Sequence, residues 1–109
     1  MVGIRVQIIR WLDDHQPGWV ECSFRDLHGV EHRFREKAPV VSGSALDAGS
    51  AYPQPGLLGC VVLERTPGDD GRTVVSVDTE RPWGIESVEG RTRFEVAPED
   101  LVEVARSTG

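Results

Sequence analysis

The sequence predicts an all-β fold, a small antiparallel barrel or sandwich of roughly six to seven strands in a single domain. Two observations carry this. Apolar residues recur with a period of two, and most of them are β-branched. Clusters of turn-forming residues separate the alternating runs at residues 13–18, 27–29, 67–71 and 89–90. Length agrees: 109 residues, 39% of them hydrophobic and 28% charged, fill one domain and can bury a core without disulfides or metal.

The first strand alternates Val2, Ile4, Val6 and Ile8 with Gly3, Arg5 and Gln7. The pattern slips at Ile8-Ile9, which a bulge would explain, and Trp11 falls on the other parity. The second strand covers residues 19–26, with Val20, Cys22 and Phe24 inward. The third covers 30–37, with Val30, His32 and Phe34 inward. Leu27-His28-Gly29 between them suits a type I turn closed by a glycine bulge. That loop sets Arg25 opposite Glu31, Phe24 opposite His32, Cys22 opposite Phe34 and Glu21 opposite Arg35. Opposite charges then meet on the outer face.

Residues 38–56 hold Pro39, Pro53 and Pro55 among Gly, Ser and Ala, and are expected as a long loop. A single helical turn could form at Ser44-Ala45-Leu46-Asp47. Residues 57–65 are a strongly apolar strand containing Val61, and residues 73–79, with Val75, are its antiparallel partner. A last hairpin is expected between residues 83–88 and 91–96, with Ile85 opposite Phe94, Trp83 opposite Val96 and Glu86 opposite Arg93. Pro98 followed by Glu99 and Asp100 opens one short helical turn, and Leu101 begins a final short strand. This strand, turn and strand ending resembles the closing segment of SH3-like barrels. The resemblance favours that barrel and carries no function.

Lys and Arg total 12 against 18 Asp and Glu, a net charge of −6. Phosphate contacts come from cations, so this charge disfavours nucleic acid unless the basic residues are segregated on one face. It favours a basic protein partner. Arg supplies all the cations but Lys37, a bias that a GC-rich genome explains. Cys22 and Cys60 lie within apolar alternation and are expected as buried, reduced thiols. Arg5 and Gln7 break the N-terminal apolar run, so no signal peptide is expected. No stretch approaches the ~18 apolar residues of a membrane span. A cytoplasmic location is the expectation.

No motif specifies catalysis, metal or cofactor, and none of the three is expected. Asp13, Asp14 and His15 crowd one turn, but adjacent residues do not supply convergent ligands. His32 on an apolar face is expected to be a hydrogen-bonded core residue. Gly68-Asp69-Asp70-Gly71 has no Lys to hold a phosphate. The stronger signal is aromatic. Trp83 follows Glu80, Arg81 and Pro82, and Pro82 must interrupt strand pairing. Trp83, Glu80 and Arg81, helped by Tyr52 from the loop, are the expected binding residues. Trp19 and His15 are further candidates, because Trp, Tyr and Arg dominate binding hot spots. The expected function is a stand-alone protein-binding domain, such as an inhibitor or toxin-neutralising immunity-type protein that occludes a basic partner. The alternatives are a nucleic-acid-binding barrel that stacks bases on Trp and Phe, and a small-ligand or enzymatic site at the barrel mouth.

Overall fold

The computed structural model describes residues 1–103. Seven antiparallel strands form a sheet curled into a half-barrel, with almost no helix. They are β1 (Val2–Asp13), β2 (Trp19–Arg25), β3 (Glu31–Lys37), β4 (Gln54–Pro67), β5 (Thr73–Asp78), β6 (Arg93–Val96) and β7 (Leu101–Glu103). One helical turn, α1 (Ala38–Val41), follows β3, and a 3-10 turn at Pro98–Asp100 precedes β7. The order across the sheet is β3-β2-β1-β4-β5-β6, with β7 laid against β1.

β1 is the spine. Val2, Gly3 and Ile4 pair with β4 on one edge and with β7 on the other. Further along, Gln7 to Asp13 pair with β2. The register shifts between Ile8 and Arg10, which is the bulge that the sequence pattern implies. The β2–β3 hairpin has the expected register, including Phe24 with His32 and Glu21 with Arg35. Gly29 at φ 79° supplies the left-handed residue of its turn.

The core lies on the concave side. Ile4, Val6 and Ile8 of β1 meet Val20, Cys22 and Phe24 of β2, with Phe34, Val75, Ile85, Phe94 and Val96 also buried. Phe24 stacks at 5.8 Å on Phe34 and meets Phe94 edge-on at 5.2 Å. Such pairs add about 0.5–1.5 kcal/mol beyond area burial. Single backbone bonds reach the outer strands from the segments beside them, β3 from the β5–β6 connection and β6 from the β2–β3 turn. Val88 N–H donates to the Arg33 carbonyl at 2.9 Å, and Leu27 N–H donates to the Glu95 carbonyl at 2.8 Å.

The structure corrects the sequence reading in several places. The loop is shorter than 38–56 at both ends. Pro39 sits in the first turn of α1, where its missing N–H costs nothing, and β4 already begins at Gln54. No helix forms at residues 44–47. Asp47 Oδ1 accepts the Gly49 N–H at 2.9 Å instead, an Asx turn competing with the helix. The hairpin pairing residues 83–88 with 91–96 does not form. β6 pairs with β5, setting Val77 beside Phe94 and Val75 beside Val96. Residues 80–92 loop out instead, closed by Thr79 N–H to the Thr92 carbonyl at 2.8 Å.

Among the expected core residues, Val61 and Leu101 are half-buried, because β4 turns Leu58 and Cys60 inward. Val30 is exposed: it belongs to the turn, where its N–H bonds Asp26. The outer-face charges also choose other partners than expected. Glu21 takes Arg10 at 3.4 Å, Glu31 takes Arg33 at 2.8 Å, and Arg25 donates to the Gly29 carbonyl.

Candidate functional site

The segment after β5 leaves the sheet at Thr79. Glu80 N–H donates to Asp78 Oδ1 at 2.9 Å, and Gly84 N–H donates to the Glu80 carbonyl at 2.6 Å, so residues 80–84 form a compact turn. This turn sets the Trp83 ring against Gly59 of β4. A Cβ at position 59 would stand 2.8 Å from Trp83 Cζ3, closer than carbon atoms pack, so the contact requires glycine. The ring is 52% exposed. It walls a groove of about 650 Å³ on the convex side of the sheet, with Leu57, Pro55, Val40, Val102 and Arg5 among the other walls. Sequence reasoning left open whether Trp83 faces inward against Val96 or outward. It faces outward.

Glu80 and Arg81 share this turn and are exposed, but of the three only Trp83 lines the groove. Tyr52 stands elsewhere. Its hydroxyl donates to the Asp47 carbonyl at 2.8 Å, and its ring packs partly on the core, which ties the loop down. Trp19 and His15 lie towards the other end of β1. Trp19 pairs with Asp13 and carries Lys37 Nζ 5.9 Å above its ring. His15 is exposed in the β1–β2 turn. At about 3.3 Å per residue, the strand between Gly3, beside the Trp83 groove, and Asp13 runs for roughly 30 Å. The candidates therefore form separate groups: Trp83 with Glu80 and Arg81, Trp19 with His15, and Tyr52 alone.

Sequence reasoning missed the array between these ends. Residues paired across a sheet share a face. Gln7 pairs with Ser23 and Ser23 with Arg33, Arg10 with Glu21 and Glu21 with Arg35, Arg25 with Glu31, and Trp19 with Lys37. The convex face of β1, β2 and β3 therefore carries Arg5, Arg10, Arg25, Arg33, Arg35 and Lys37, all exposed. The acids on it are Glu21, Glu31 and, at the strand end, Asp13. In a chain of net charge −6 this face is cationic. The signal was available, since the hairpin register already points Arg25, Arg33 and Arg35 outward and the same parity on β1 adds Arg5.

The array has two cavities, not one. Beyond Gln7 and Ser23, β1 and β2 splay apart, because β7 takes the edge of β1 at Ile4. The gap is a cleft of about 370 Å³, lined by Arg5, Gln7, Ser23 and Arg25 together with Glu31 and Asp100. Arg5 and Gln7 line the cleft and the Trp83 groove alike.

The buried polar groups hold the fold. His32 Nε2 donates to Asp26 Oδ2 at 2.7 Å inside the Phe24, Phe34 and Phe94 cluster. Burial works against the charge on Asp26. The hydrogen bonds from His32, Val30 N–H and His28 N–H outweigh it and hold the carboxyl below its usual range. Burial pushes the Cys22 thiol up to about 12, helped by Glu36 and Glu21, and pushes Cys60 up to about 11. Such thiols are protonated at neutral pH and poor nucleophiles. Among the described residues, no group of three or more His, Cys, Asp or Glu is gathered for a metal, and no helix is long and apolar enough to cross a membrane. No family model, curated protein or solved structure matches the chain.

Proposed function

We propose that this domain is a protein-binding module that takes up its partner on the convex face of β1, β2 and β4, with Trp83 as the anchor. One observation carries the reading: a half-exposed Trp ring rests on a glycine and walls an apolar groove, although nothing in the core calls for it there. Large rigid rings in grooves supply most of the energy in protein interfaces. The chemistry elsewhere agrees with binding rather than turnover. The buried His32–Asp26 pair braces a turn, and the two thiols are held protonated. The mode would be occlusion, as in an inhibitor or an immunity-type protein. Net charge alone points to a basic partner. That argument applies to the rest of the surface, because this face has the opposite sign.

The test is affinity capture from an extract of the source organism, with bound species identified by mass spectrometry. Trp83→Ala is compared with Val88→Ala, which removes an exposed apolar side chain remote from the groove lining. Trp83→Ala should change stability by no more than about 1 kcal/mol and weaken the captured partner by about 2 kcal/mol or more. Val88→Ala should retain it. Equal capture by both variants rejects Trp83 as the anchor, and a melting temperature that collapses in Trp83→Ala makes it a structural residue.

A further inference from the structure

Resting on that reading, we propose that the partner presents an extended acidic segment, whose carboxylates pair with Arg5 and Arg25 while its apolar side chains enter the Trp83 groove. The argument is charge complementarity on a continuous surface. Arg5 and Gln7 belong to both cavities, so a chain lying along this cationic face crosses from the apolar groove into the cleft that Arg5 and Arg25 line with Glu31 and Asp100. The arginines differ in how far they are already engaged. Arg10 and Arg33 are paired with Glu21 and Glu31. The side chains of Arg5 and Arg35 make no hydrogen bond or ion pair among the described residues, and the Arg25 guanidinium makes one long bond, 3.4 Å, to the Gly29 carbonyl. The guanidinium fork matches a carboxylate in bidentate geometry, and unengaged forks at a cleft are available for it. Gln7 and Ser23 add neutral groups that can bond a peptide backbone.

A single-stranded nucleic acid would also answer to arginines, but the rings argue against it. Sequence-tolerant strand binding stacks successive bases on successive aromatic faces. Here Phe24, Phe34 and Phe94 are all buried. Trp11 donates to Asp14 and Trp19 lies under Lys37, which leaves Trp83 as the one well-exposed Trp, Tyr or Phe ring among the described residues. One platform beside an apolar groove suits a side chain better than a row of bases.

The experiment pans a phage-displayed random peptide library against the whole domain. The selected peptides, and a labelled oligothymidylate, are then titrated by fluorescence anisotropy. The proteins are wild type, Trp83→Ala, and the double variant Arg5→Glu with Arg25→Glu. These positions are exposed, and circular dichroism confirms that each variant stays folded. The expected result is peptides rich in Asp and Glu interspersed with apolar residues. Their affinity should fall about tenfold or more in each variant, and weaken with salt in wild type. Peptides that need Trp83 but are neutral or basic, and are indifferent to the arginine reversal, overturn the acidic segment and leave the docking reading standing. Oligothymidylate bound through the arginines, with no peptide selected, overturns both in favour of nucleic acid. Selection of nothing, with no oligonucleotide binding, overturns both outright.

Discussion

Asp26 accepts from His32 Nε2 at 2.7 Å, from His28 N–H at 2.8 Å and from Val30 N–H at 3.0 Å, so one carboxylate holds the β2–β3 turn and satisfies a buried imidazole. Asp26→Asn keeps the shape but replaces a charged acceptor, and should cost about 1–3 kcal/mol in urea denaturation. The pH dependence follows from the direction of the shift. A carboxyl held below its unfolded value near 3.8 contributes stability above that pH and loses it as pH falls through the folded value. Acid titration of wild type should therefore show a loss below about pH 4 that is reduced in Asp26→Asn. Sequence pattern placed His32 on the inner face and expected it to be hydrogen-bonded. It did not single out Asp26 as the partner, because the link depends on how the turn folds back. Cys22 and Cys60 were legible from alternation alone. With both thiols buried and shifted up, a thiol reagent at neutral pH should label the native protein far more slowly than the urea-unfolded chain, and fast native labelling of either would contradict its burial.

Whether a segment could be read depended on whether its pairing partner was a neighbour in sequence. The hairpins β2–β3 and β4–β5 join consecutive runs through short turns, and their existence follows from parity and turn residues. The segment 80–92 was misread because its own alternation resembles a strand. What decides its course is Thr79, which is fully buried. Its hydroxyl donates to the Ile85 carbonyl at 2.7 Å, and Ile85 N–H donates back to the Thr79 carbonyl at 3.0 Å. This pins Ile85 into the core and lets Trp83 swing outward. Thr79→Val keeps the volume and removes the hydroxyl, so it should cost about 1–3 kcal/mol by taking the donor from the Ile85 carbonyl. The same variant should shift the Trp83 fluorescence, read against a Trp83→Phe background; an unchanged spectrum and unchanged stability would show that the turn is set elsewhere.

Across the whole molecule, the fold class was legible and the binding face was only half so. Alternation and turns foretold an all-β domain. The hairpin register also pointed Arg25, Arg33 and Arg35 to one face, but that β1 adds its arginines to the same side depends on β1 lying beside β2. The bulge at Ile8 keeps Arg10 on the same face as Arg5 and Gln7 despite the odd spacing. Net charge, a sum over all directions, hid this as well. The place of β1 has one more consequence, and it concerns time. Of the seven described strands β1 is made first and β7 last, yet Ile4 pairs with Leu101 and Val2 with Glu103. Partners standing roughly a hundred residues apart close slowly and late. Until β7 arrives, an edge of the spine of this sheet stands open, and a nascent chain in that state offers a bare strand to any neighbour being synthesised beside it.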